Sequence, residues 1–62
     1  MTPAEYRAAI AKMEWSIAGA GPHLGISRRQ SQRYASGENP VSAPIAKLLQ
    51  LQLQLRLADR RP

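Results

Sequence analysis

The apolar positions of the first segment recur at helical spacing. Tyr6, Ala9, Ile10 and Met13 fall on one stripe. Thr2-Pro3-Ala4-Glu5 ahead of them is a helix start: Thr2 suits the N-cap, Pro3 the first helical position, and Glu5 completes a capping box. This predicts a first helix over residues 3–13. Trp15, the largest apolar side chain, follows and is expected in the core. Ser16 is a suitable N-cap for a second helix, which Gly19, Gly21 and Pro22 weaken. Pro22 lacks a backbone donor and should distort that helix. Gly25 after Leu24 fits a left-handed C-cap, with Leu24 and Ile26 pointing inward on either side. Ser27 can cap a third helix, predicted over residues 28–36, whose main apolar residue is Tyr34 with Ala35 beside it. Gly37 stops it, Glu38-Asn39-Pro40 reads as a loop, and Ser42 can cap a last helix.

The last segment carries two patterns at once. Leu49, Leu51, Leu53, Leu55 and Leu57 alternate with Gln50, Gln52, Gln54 and Arg56, and period two is a strand signature. Leu, Gln, Lys and Arg are helix formers, however, and no β-branched residue occurs after Ile45. Helix is therefore the preferred reading, with a strand paired across a two-fold axis as the alternative. Drawn as a helix, Leu48, Leu51 and Leu55 lie on one side and Leu49, Leu53 and Leu57 on another. A helix apolar on two sides must be covered on two sides. One side can serve the chain's own core; the other needs a partner, most simply the same helix of a second copy. Leu49, Leu53 and Leu57 are taken as the homodimer face, with the side of Leu48, Leu51 and Leu55 left open as the alternative. The expected organisation is one domain over residues 1–58 and a frayed tail over 59–62.

Composition narrows what such a chain can be. Its 62 residues suffice for one domain, and a fold this small lies near the lower limit of independent stability. There is no cysteine, and the single His23 has no companion for a metal site, so disulfide and zinc staples are not expected. No cofactor is expected either. No apolar run approaches the ~20 residues of a membrane span, and Glu5 precedes any apolar run, which argues against a secretory signal. No acid/base or nucleophile constellation suggests an enzyme.

Charge adds the functional clue. Nine Lys and Arg stand against four Asp and Glu, a net charge of +5. No acidic residue occurs between Glu14 and Glu38, and that interval holds Arg28, Arg29 and Arg33 with Gln30, Gln32, Ser27 and Ser31. Arg, Gln and Ser without carboxylates suit phosphates and base edges; the plainer reading is a solvated helix face. Two short helices joined by a turn containing Gly form a helix-turn-helix. The ordered set Gly21, Leu24, Gly25, Ile26, Ser27 and Tyr34, continued by Pro40, Pro44, Ile45 and Ala46-Lys47-Leu48-Leu49, resembles the Xre-like, Cro/C1-type helix-turn-helix family of phage repressors and bacterial regulators over roughly residues 5–55. Three features depart from it: Ile17 where Gln is frequent, Ser31 where a buried aliphatic is usual, and Pro22 with Gly19 and Gly21, which make the second helix irregular.

The resemblance implies an all-α, compact four- to five-helix bundle with a repressor-like DNA-binding domain. The helix over residues 28–36 would read the major groove. Arg28, Arg29, Gln32 and Arg33 are the candidate base contacts, and Ser16, Ser27, Gln30, Asn39 and Lys47 the candidate phosphate contacts. Arg33 could pair with Glu38 instead, and Ser27 is a cap first. The expected function is a small homodimeric transcriptional regulator, most simply a repressor, on a pseudo-palindromic double-stranded DNA operator, in a bacterial cytoplasm at the nucleoid. The alternative is a protein-interaction module, an antitoxin or adaptor subunit, that works through the Leu-rich helix.

Overall fold

The first three helices all begin on a hydroxyl side chain. The computed structural model describes residues 1–59 and forms four α-helices there: α1 (Pro3–Lys12), α2 (Ile17–Leu24), α3 (Arg28–Ser36) and α4 (Ala43–Asp59). Thr2 Oγ1 accepts from the Glu5 N–H at 3.1 Å, and Glu5 Oε1 accepts from the Thr2 N–H at 2.8 Å, which completes the capping box. Ser16 and Ser27 cap α2 and α3 in the same way, accepting from Gly19 at 2.9 Å and Gln30 at 3.0 Å. Each cap satisfies a donor that the helix start leaves unpaired. Pro22 is exposed and does not interrupt α2, so the expected distortion leaves the helix continuous.

The helix ends close on left-handed residues. Gly25 has φ +72°; its N–H reaches the Pro22 carbonyl at 3.4 Å and the Ile26 N–H reaches the Gly21 carbonyl at 3.0 Å. That is a Schellman closure, and it turns the chain sharply between α2 and α3. α1 ends in the same pattern, with Glu14 at φ +62° where glycine is usual: Glu14 N–H meets Ala11 O at 3.0 Å and Trp15 N–H meets Ile10 O at 3.2 Å. α1 stops at Lys12, with Met13 as its C-cap, one residue short of the sequence expectation.

α1 and α2 each pack on all three other helices, and the backbones of α3 and α4 stay apart among the described residues. Tyr6, Ile10 and Leu49 are fully enclosed, with Met13, Ala20, Leu24, Tyr34 and Ala35 around them. The Tyr6 and Tyr34 rings meet edge to face, centroids 5.7 Å apart, an arrangement that contributes ~0.5–1.5 kcal/mol beyond burial. Trp15 is half-buried against this core rather than enclosed, and stacks on His23 with ring centroids 4.2 Å apart.

Residues 43–59 form one helix, so the strand alternative falls: Leu and Gln favour helix, and α1 and α2 offer a surface to pack on rather than a strand edge. A fifth helix is absent among the described residues. Asp59 still belongs to α4, so the proposed tail is not separate at its first residue, and residues 60–62 lie outside the described residues. α4 also corrects the predicted dimer face. Leu49 is 0% exposed and Leu53 packs on the same core, so this side serves the chain itself. Leu57 is exposed but lies on the same broad side, beyond the end of the core. The outward leucines are Leu48, Leu51 and Leu55. Polar ties hold the far half of α4: Gln52 Nε2 donates to the His23 carbonyl at 3.2 Å, and the Arg56 guanidinium pairs with the Glu14 carboxylate.

Candidate nucleic-acid interface

α3 is held by three residues and displays the rest. Ser31, Tyr34 and Ala35 are buried; at about 100° per residue they share one side, and Arg29, Gln32, Arg33 and Ser36 share the opposite one. Arg29, Gln32, Arg33, Ser36 and Glu38 line an open depression of about 500 Å³ along that side. Arg28, at the first helical position, is exposed on the flank, ~100° round from Arg29. Sequence reasoning missed Ser36 and the rim position of Glu38. The spacing 29, 32, 33, 36 carries the signal for Ser36, since residues three and four apart share a helix face.

Ser31 fixes how α3 sits. It is fully buried, lies 2.6 Å from the Tyr6 hydroxyl and donates to the Ile17 carbonyl at 2.5 Å. A serine has one proton and the carbonyl can only accept, so Tyr6 must donate to Ser31. The hydroxyl therefore ties α3 to α1 and to the first turn of α2 where an aliphatic side chain could only pack. Burial raises the Tyr6 phenol above its ordinary range, with the Ser31 hydrogen bond opposing it. The Arg7 guanidinium also donates to the Ala35 carbonyl near the C-terminus of α3.

Gly21 sets the distance between α2 and the turn. A Cβ there would lie 2.8 Å from the Ile26 carbonyl oxygen and 3.0 Å from that of Ser27. Only glycine lets the backbone approach so closely. With the Ser31–Ile17 bond, it lays the first turn of α2 beside the middle of α3.

The first turns of α2 and α3 contain no acidic residue, so their positive dipole ends are not offset locally. Ser16 and Ser27 use lone pairs for capping, and both are exposed, which leaves their O–H donors free for an anion. Arg33 stands 3.9 Å from Glu38, with both side chains substantially exposed. Such a pair is worth ~0–1 kcal/mol and yields readily to a competing anion. Arg28 and Arg29 have no ion-pair partner among the described residues. Gln30 is half-buried at the other edge of α3, and Asn39 is half-buried in the following loop, its N–H on the Arg33 carbonyl at 3.3 Å. Lys47 is exposed on α4, which the fold does not bring against α3.

Among the described residues no group of three His, Cys, Asp or Glu could hold a metal ion, and no helix is long and apolar enough to cross a membrane. Compared with known proteins, the chain matches no family model, no curated protein and no solved structure.

Proposed function

We propose that the protein binds double-stranded DNA in a sequence-specific way, with α2 and α3 acting as a helix-turn-helix and α3 as the reading helix. The observation that carries this is the outward side of α3: Arg29, Gln32, Arg33 and Ser36 grouped around an open groove on a helix whose opposite side is locked by Ser31, Tyr34 and Ala35. A helix 10–12 Å across fits the ~12 Å major groove of B-DNA. Arg presents two donors to guanine O6 and N7, and Gln matches the donor and acceptor of adenine. Arg29 and Arg33 are the proposed guanine readers and Gln32 the proposed adenine reader; Arg28, on the flank, reaches a neighbouring base or phosphate. Ser16 and Ser27, at two helix N-termini, would hold backbone phosphates through their hydroxyl and amide donors. Gln30, Asn39 and Lys47 are more peripheral phosphate candidates. A single α3 spans only a few base pairs, so two copies on a pseudo-palindrome with half-sites about one turn apart supply the specificity. Occlusion of a promoter, hence repression, is the simplest regulatory outcome.

Selection of bound sites from a random duplex pool, followed by titration at two salt concentrations, tests the reading. Arg29→Ala and Arg33→Ala should each lose ~1–3 kcal/mol of discrimination at one base position, while Lys47→Ala should weaken all sequences alike and lower the salt slope by about 1. Unchanged binding in a variant lacking Arg28, Arg29 and Arg33 would rule it out. The second reading, a protein-interaction module such as an antitoxin or adaptor, with or without DNA binding, draws on the outward leucines of α4 and does not require the arginines of α3.

A further inference from the structure

Among the described residues, Glu38 is the one acidic side chain that lines the groove of α3. Neither stability nor attraction to a polyanion explains a carboxylate at that place. It follows the C-terminus of α3, the negative end of the helix dipole, which disfavours a negative charge. It would also repel phosphates on a face otherwise built from Arg, Gln and Ser.

The chain nevertheless seats Glu38 there through a set of directional contacts. Gly37, at φ +85°, turns the chain after Ser36. A Cβ at Gly37 would lie 3.2 Å from Pro3 Cγ, so the turn rests on the start of α1. Three carbonyls at the end of α3 are taken. That of Tyr34 accepts from the Gly37 N–H at 3.4 Å, and that of Ala35 from the Arg7 guanidinium. That of Arg33 accepts from the Asn39 N–H at 3.3 Å and from the Ser36 hydroxyl at 3.1 Å. The Ser36 oxygen accepts in turn from the Glu38 N–H at 3.3 Å. These bonds bring Glu38 Oε2 to 3.9 Å from Arg33 Nε. Arg29, one turn earlier on the same side, has no ion-pair partner among the described residues.

The point of approach decides what the pair can do. Arg carries five N–H donors, and a carboxylate beside Nε leaves the Nη pair as an edge for guanine O6 and N7. The guanine edge is a neutral acceptor and does not displace a carboxylate. A phosphate carries a full charge and competes for the same guanidinium. Glu38 therefore offsets the pull of the DNA backbone on Arg33 while its base-reading donors stay available.

We propose that Glu38 is a positioning residue for specificity: it keeps Arg33 on the guanine edge and off the backbone phosphates, and lowers overall affinity in doing so. This rests on the reading of α3 as a DNA-reading helix.

The test is site selection from a random duplex pool, followed by salt titration, with the full chain as wild type, Glu38→Gln, Arg33→Ala and the double variant. Arg33→Ala identifies the base position that Arg33 reads. Glu38→Gln should lower the guanine preference at that position by ~5-fold or more and keep the preference at the position of Arg29. It should bind random duplex more tightly, with a salt slope steeper by about 1. Its melting temperature should be no lower than that of the wild type. In the Arg33→Ala background, Glu38→Gln should change no base preference.

An unchanged guanine preference in Glu38→Gln overturns the proposal. So does an equal loss at the position of Arg29, the mark of a merely structural role. A cytosine preference that Glu38→Gln removes in the Arg33→Ala background would make Glu38 a direct reader and overturns it too. These results leave the DNA reading of α3 intact, whereas a wild type with no base preference overturns that reading and this inference with it.

Discussion

α3 and α4 each bury one side and show the other to water, and they differ in what they show. α3 displays Arg29, Gln32, Arg33 and Ser36; α4 displays Leu48, Leu51 and Leu55. Water solvates polar groups of the first set well, so their exposure requires no partner, and only their grouping around a groove argues for one. Water solvates the second set poorly, and its placement in a row makes it unlike the scattered apolar residues that every surface carries. The buried sides are inverted as well. α3 is fixed by a hydroxyl, Ser31, and α4 by an aliphatic, Leu49, both fully enclosed. Polar anchoring fixes an orientation through directional bonds, as a helix that presents side chains to a groove requires. Apolar anchoring supplies most of the stability.

The widest separation between these regions should appear within α4 itself. Leu49→Ala should cost ~2–5 kcal/mol, enough to unfold much of so small a domain, whereas Leu55→Ala at dilute concentration should stay within ~0.5 kcal/mol. Urea denaturation of both variants checks this, and equal losses would mean that the two sides of α4 are misassigned. The next effect belongs to α3. Ser31→Ala leaves the Tyr6 hydroxyl and the Ile17 carbonyl without their partner inside the core and should cost ~1–3 kcal/mol, while Ser36→Ala on the groove side should be near neutral. A neutral Ser31→Ala would show that packing alone orients α3.

The smallest effect lies at the start of α1. The Thr2 backbone N–H, then the Thr2 side chain, hold the Glu5 carboxylate below its ordinary range. The unfolded chain therefore binds this proton more readily than the folded one. The stabilisation is complete above the unfolded pKa and is lost as pH falls through the folded value. Melting curves across the acidic range should show a slightly steeper loss for the wild type than for Glu5→Gln, which keeps a capping-box side chain but cannot titrate. Superimposable profiles would remove Glu5 from the acid response.

Much of this layout was legible because its signals are local. Thr2, Ser16 and Ser27 announce three helix starts, Gly25 announces the left-handed turn, and spacing alone groups Arg29, Gln32 and Arg33 on α3. The misassigned dimer face has a different origin. Leu48, Leu51 and Leu55 are chemically the same as Leu49, Leu53 and Leu57, and a lone helix gives no reason to prefer either set for the core. Arg7 on Ala35, Gln52 on His23 and Arg56 on Glu14 join residues far apart in the chain, and no local pattern marks them. Glu14 in a left-handed conformation was equally hidden, because glycine is the usual sign of such a closure.

By itself the sequence determined four helical segments, the hydroxyl N-caps of the first three, a tight Gly25 turn between the second and third, and a basic stretch on the third. Capping, propensity and periodicity act within a few residues, so they can be read along the chain. The tertiary structure alone decided which leucines face inward, why a serine occupies a core position, and that the Arg face and the outward Leu row sit on helices whose backbones stay apart. Those outcomes depend on which surfaces α1 and α2 offer, and on where Tyr6 and the Ile17 carbonyl lie when α3 docks. Burial and hydrogen bonding between distant residues select among faces that are equivalent in the isolated helix.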